Sequence, residues 1–310
     1  MKNHNSKTEW LEELLHLHNK KFAYVANVGS NTVSVIDTSS NTVVDTVPVG
    51  VAPFSVAIIT NKKLVYVANS GSNTVSVIDT SSNTVVATVP VGVLPLGVAV
   101  TTNSKFAYVT NAGSNTISVI DTSSNTVVDT VPVGIGPFNV AITRNAKFAY
   151  VTNFGSANVS VIDTSSNTVT TTVSVGFGPV DVAITPNGKF AYVTNVANDN
   201  VSVIDISSNT VVATVPTGSE PAYVAITPNG KLAYVTNFIS NNVTVIDIPS
   251  NTVIITIGVG SSPVGLAITT NGKFAYIANA GSASVSVIDT SSNTVTATIP
   301  VGNGPFDVAI

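Results

Sequence analysis

Tyrosine stands at positions 24, 66, 108, 150, 192, 234 and 276, and every step is 42 residues. Aspartate keeps the same step at 37, 79, 121, 163, 205, 247 and 289, and glycine keeps it from Gly50 to Gly302. The seven copies run on with no insertion. Such a period restricts the chain to repeated copies of one supersecondary unit, each burying its apolar surface against its neighbours. The unit is β. In the copy at 179–218, "VDVAIT" alternates and is β-branched, and "PNG" predicts a tight Asn-Gly hairpin. "KFAYVTN" and "NVSVIDI" are the next two strands, "SSNT" turns, and "VVATVPTG" is the fourth. The apolar spacing is two, which excludes a helical solenoid. Four short antiparallel strands, A to D, in 42 residues make one propeller blade.

The phase of the repeat predicts how the ring closes. The chain enters at Lys21 with strands B, C and D of one blade and runs through six complete blades. It finishes on a lone A strand, "PFDVAI" at 305–310. Three N-terminal strands plus one C-terminal strand then complete the seventh blade, and closure removes open sheet edges. Ile310 is expected to end the chain because that strand needs nothing more. The expected fold is therefore all-β, a seven-bladed β-propeller of 42-residue four-stranded blades over residues 21–310, with a short helix in residues 1–20. In that first segment Ser6 and Glu9 form a capping-box pattern. Trp10, Leu11, Leu14, Leu15 and Leu17 share one helical side, with Glu9, Glu12, Glu13 and His16 on the other. This helix is expected to dock on the face that carries the A–B turns.

Composition narrows the function. There is no cysteine, which excludes disulfides, thiolate metal sites and cysteine nucleophiles. The formal charge of −4 gives no footprint for nucleic acid. No apolar run is long enough to span a bilayer. The first residues do not read as a signal peptide. The histidines, His4, His16 and His18, all precede the propeller, so no blade supplies an imidazole base or ligand. No cofactor is expected. A monomer is expected, with the N-terminal helix as the element that could join two copies.

The phrases "YVTN" at 108, 150, 192 and 234, "YVAN" or "YIAN" elsewhere, and "VSVIDTSSNTVVATVPVG" closely resemble the YVTN family of seven-bladed propellers. The resemblance covers residues 21–310. That family includes surface-layer and other envelope-associated proteins, which implies a bacterial or archaeal source and a place at the cell surface or outside it. Enzymes of similar architecture, such as streptogramin lyases and phosphogluconolactonases, rely on histidine, arginine or clustered carboxylates. The only arginine here is Arg144, on the lysine-bearing face.

Most repeated motifs read as structure. "DTSSNT" places oxygens as a calcium loop would, but it lacks the sixth-position glycine and the distal glutamate, and Asp and Asn also bond their own turns. The lysines from Lys21 to Lys273, one per blade at the A–B turns, share a face with the "VID" aspartates and read as a paired, solvated rim. The asparagines from Asn27 to Asn279 end strand B in every blade and read as turn residues. Function is expected where the copies differ, on the face of the D–A and B–C loops. At the second position after the loop proline stand Ser55, Gly97, Asn139, Asp181, Tyr223, Gly265 and Asp307. This series encircles the channel mouth and is the candidate ligand site, with Glu220, Phe154, Phe177 and Phe238 around it and Phe54, Phe138 and Phe306 as further apolar rim residues. Asp181 and Asp307, three blades apart, are candidate ligands of a hydrated metal ion. Two functions follow: a non-enzymatic binding or scaffolding propeller with a protein or small-molecule partner on the variable face, or a lyase or hydrolase built on the channel carboxylates.

Overall fold

The computed structural model describes residues 22–310. The helix expected in residues 1–20 lies outside the described residues. The described chain forms 28 strands in seven four-stranded antiparallel sheets. Six sheets run A-B-C-D in chain order, as in Pro53–Ile59, Leu64–Asn69, Thr74–Asp79 and Thr84–Pro90. The composite sheet is the expected one: Pro305–Ala309 pairs with Phe22–Asn27, then come Thr32–Asp37 and Thr42–Pro48. Tyr24 lies opposite Ala309, Val25 opposite Val308 and Ala26 opposite Asp307. We number this sheet blade 1 and the rest 2 to 7 along the chain.

Strands B and C are buried on both faces, because each blade has a neighbour on either side. The apolar clusters therefore cross blades. Tyr66, Val75 and Val77 of blade 2 pack with Val98, Ala107, Val109 and Ile120 of blade 3. A single blade alone leaves both faces in water, so the ring gains its hydrophobic stabilisation only as a whole.

Hydrogen bonds lace the same junctions. The Tyr108 hydroxyl donates to Asn167 Oδ1 of the next blade at 2.6 Å, and Tyr276 does the same to Asn41 across the junction with blade 1 at 2.6 Å. All seven strand-B tyrosines make this bond to the asparagine of the next C–D turn. Burial pushes their hydroxyls up to about 12, so they stay protonated donors. Each receiving asparagine is left-handed, as at Asn167 (φ 52°), a conformation asparagine tolerates.

One detail of the turns differs from the sequence reading and another agrees with it. The "PNG" turn is a four-residue turn, Thr185 to Gly188, closed by the Gly188 amide on Thr185 O at 2.7 Å. Only Gly188 (φ 69°) is left-handed in it, whereas a two-residue Asn-Gly hairpin would need both. The "VID" aspartates turn to their own loops: Asp163 Oδ1 accepts from the Ser165 amide at 2.8 Å and its hydroxyl at 2.5 Å. In blade 6 Pro249 removes that amide, and Asp247 Oδ2 accepts from the Ser250 amide instead at 3.0 Å. Lys105, Lys147 and Lys189 lay their ammonium groups over the rings of Phe106, Phe148 and Phe190 at 5.1, 5.2 and 5.0 Å.

Candidate functional site

The loop face is built on a repeated frame that fixes where variable side chains point. Each D–A glycine lies against the asparagine that ends the next strand B; a Cβ on Gly134 would fall 2.6 Å from Asn153 Cγ. That contact leaves no room for a side chain. The B–C loop then bonds the D–A loop, as when the Phe154 amide donates to Gly136 O at 2.9 Å. A further clasp comes from the previous blade: Asn115 Oδ1 accepts from the Gly136 amide at 2.8 Å and Asp199 Oδ1 from the Glu220 amide at 2.8 Å. Backbone groups are consumed inside this frame, so the variable side chains stand outward. Ile135 is 63% exposed, Phe154 46% and Phe177 68%. Val51, Val93, Leu94 and Ile239 are exposed on the same face, and Glu220 is its exposed carboxylate.

The residue just before each loop proline is left-handed. Glycine fills it in Gly136, Gly178 and Gly304, but Leu94 (φ 56°) and Glu220 (φ 54°) are held there too. A side chain in that region costs about 1 kcal/mol.

Towards the axis the face becomes aromatic. The Phe54 and Phe306 rings lie 3.8 Å apart centre to centre, Phe54 and Phe138 5.6 Å, and Phe138 and Phe154 6.3 Å. Tyr223 meets Phe306 edge-on at 6.2 Å. Phe154 also lies over Gly178, where a Cβ would meet its ring at 3.2 Å, beside the exposed Phe177. The result is an apolar track from the channel mouth to the rim of blades 4 and 5. The remaining residues at the position after the proline, Leu96, Val180, Ala222 and Val264, are buried. Phe238 is half-buried and packs on the cluster that holds Val180, Ala222 and Val264, against which Phe138 and Phe306 also pack.

The polar ring proposed from the sequence lies one residue deeper along strand A and is buried. Ser55, Asn139, Asp181, Tyr223 and Asp307 are all withdrawn from solvent. The structure does not gather them into one constellation; it joins them around the ring in neighbouring pairs. Asp307 Oδ2 accepts from the Ser55 hydroxyl at 2.8 Å and the Val56 amide at 3.0 Å. Asp181 Oδ1 accepts from Asn139 Nδ2 at 2.7 Å and Oδ2 from the Val224 amide at 2.8 Å. Glycine at 97 and 265 makes room for the next residue to lean in: a Cβ on Gly265 would fall 2.5 Å from Asp307 Cα. Asn139 and Asp307 then fold back on their own strand, each accepting from the following amide at 2.8 Å.

Burial, resisted by backbone donors, pushes the Asp181 carboxyl up to about 7 and that of Asp307 up to about 6. The Tyr223 hydroxyl is buried without a hydrogen-bond partner among the described residues, and burial with the charges of Asp307 and Asp181 pushes it well above the usual phenol range. Each carboxyl group already takes several protein donors, which suits a structural role better than an open ligand set. Sequence reasoning missed this depth.

Fold and site together define a closed β-propeller with a repeated charged face and a variable apolar one. The chain belongs to the choice-of-anchor I domain family, whose model matches residues 16–220. A YNCE-like beta-propeller model also matches, over residues 183–270. The narrower YVTN likeness rests on the repeat phrases alone. No curated protein matches the chain. Among solved structures, hydrazine synthase of Kuenenia stuttgartiensis is similar at 25% identity and TM-score 0.76, covering 82% of this chain and 88% of that one. A functionally unknown protein from Desulfotomaculum acetoxidans is similar at 17% identity and TM-score 0.83, covering 94% and 98%. A dihydro-heme d1 dehydrogenase is similar at 14% identity and TM-score 0.71, covering 93% and 74%. The last two likenesses show the fold alone.

Proposed function

We propose that this protein is a non-enzymatic binding propeller that seats a partner's apolar segment on its D–A and B–C loop face. The aromatic track from Phe306 through Phe54 and Phe138 to Phe154 carries the reading. It breaks the repeat's symmetry on the one face where side chains are freed from structural duty. The rim adds exposed aliphatic residues and the carboxylate of Glu220, while the lysines lie on the opposite face. A fitting partner is an extended segment with one or two aromatic or aliphatic anchors and a cationic neighbour. Work at the cell envelope belongs to this reading through the resemblance of the repeat phrases. Selection from a displayed random peptide library, with counter-selection against a Phe154→Ala/Phe177→Ala variant, tests it. Enriched sequences should share apolar anchors beside Lys or Arg. Enrichment that the variant captures equally well would refute the site.

One observation favours a second reading, a lyase or hydrolase built on the channel carboxylates. Burial pushes the Asp181 and Asp307 carboxyls up to about 7 and about 6, where a general acid is useful. Metal analysis of the purified protein beside an Asp181→Ala/Asp307→Ala variant separates the two readings. A bound ion lost in the variant would favour the enzyme.

A further inference from the structure

The outermost strand of every blade is a sheet edge, and edges invite pairing unless they are guarded. Two guards recur here beyond the β-bulge that every outer strand carries. Five outer strands end in proline, at Pro48, Pro90, Pro132, Pro216 and Pro300, which removes an amide donor. Two carry a charge in mid-strand, Asp45 and Asp129. The outer strand of blade 4 ends in Ser174, but threonines fill its centre and only Val169 among its large apolar residues is exposed.

The outer strand of blade 6, Thr252–Gly258, has neither guard. It carries three consecutive exposed β-branched residues, Val253 at 43%, Ile254 at 52% and Ile255 at 40%. In the other outer strands no run of exposed large apolar residues exceeds two. At the guarding position stands Gly258, and nothing lies within 4 Å of where its Cβ would be. Its φ is not positive, so neither crowding nor backbone conformation calls for glycine there. At the end of this edge Gly258 leaves room for another backbone to come close, one of the uses of a strand glycine.

We propose that this edge pairs antiparallel with the same edge of a second copy of the chain, about a two-fold axis. The strand suits itself as a partner. It is uncharged, so no residue meets a like charge opposite, as Asp45 or Asp129 would in a self-paired edge. Its valine and isoleucines meet their own kind, and the two-fold closes the assembly at two copies. A strand pair of this length buries well under the roughly 800 Å² per partner of a stable interface, so the dimer is weak and reversible.

Sedimentation equilibrium of the full chain over a wide concentration range tests this. A monomer–dimer equilibrium is expected. Ile255→Lys should weaken it at least tenfold, and Gly258→Pro, which restores the guard found in five other blades, should do the same. Val128→Lys, on the outer strand of blade 3, should leave it unchanged. Thermal scans check that the variants fold, and the open surroundings of Gly258 favour at least that variant. A monomer at every concentration overturns the proposal, as does a dimer that survives both edge variants.

Discussion

Tyr223 and Tyr108 are both buried, but their hydroxyls are used in opposite ways. The Tyr108 hydroxyl bonds Asn167 of the next blade at 2.6 Å, while that of Tyr223 has no partner among the described residues. Deleting a made bond costs about 1 kcal/mol, and deleting a buried unmade one costs little or stabilises. Tyr108→Phe should therefore lower stability by about that amount in chemical denaturation. Tyr223→Phe should leave it unchanged or raise it, and a loss as large as that of Tyr108→Phe would show that the Tyr223 hydroxyl has a partner in solution. The ring carboxylates add a pH signature. Asp181 titrates at about 7 when folded against an ordinary 3.8, so the unfolded chain releases this proton first as pH rises. The contribution is complete below the ordinary value and is lost as pH climbs through about 7, with Asp307 acting in the same sense through about 6. Tm should fall between about pH 5 and about pH 8, and Asp181→Asn/Asp307→Asn should flatten that slope. An unchanged slope in the variant would contradict it. Asp121, Asp163, Asp205 and Asp289, held below the usual range first by the hydroxyls of Ser123, Ser165, Ser207 and Ser291, act in the opposite sense only at more acid pH.

The strands were legible in the sequence because strand character here is written locally. Alternating valine and isoleucine, a glycine or asparagine at each reversal and an unbroken step of 42 residues leave little choice. What was not legible joins residues of different blades. Nothing local links Tyr108 to Asn167, or explains why Gly134 must be glycine. The first is a hydrogen bond across a blade junction, and the second is a contact with Asn153 of the following sheet. The "PNG" turn was misread because its geometry depends on Thr185, whose hydroxyl donates to Asn187 Oδ1 at 2.8 Å and accepts from the Phe190 amide at 2.9 Å. Gly134→Ala tests the frame at this scale. Its new methyl would lie 2.6 Å from Asn153 Cγ, and such overpacking costs about 1–3 kcal/mol. Unchanged stability in a denaturant titration would mean that the loop and the asparagine move apart freely.

At the scale of the molecule, closure was legible and the site was legible only in part. The phase of the repeat placed 305–310 beside 22–27, and Val308 does stand opposite Val25. Removing residues 305–310 should expose the edge of Phe22–Asn27 and lower Tm by many degrees in a thermal scan. An unchanged Tm would mean that the strand is not the latch. Divergence among the copies pointed to the loop face and to the ring of Ser55, Asn139, Asp181, Tyr223 and Asp307. It could not give their depth, because burial at the axis depends on three phenylalanines from blades 1, 2 and 4 meeting over the channel. One face is thus repeated and charged, the other variable and apolar, and binding is assigned to the second. The most direct test compares the two faces with one selected peptide by calorimetry. Phe154→Ala/Phe177→Ala should weaken binding by about tenfold or more. Lys105→Ala/Lys147→Ala, on the opposite face, should leave the affinity unchanged. Equal affinity for the wild type and the phenylalanine variant, with loss in the lysine variant, would place the site on the wrong side of the disc and contradict the account.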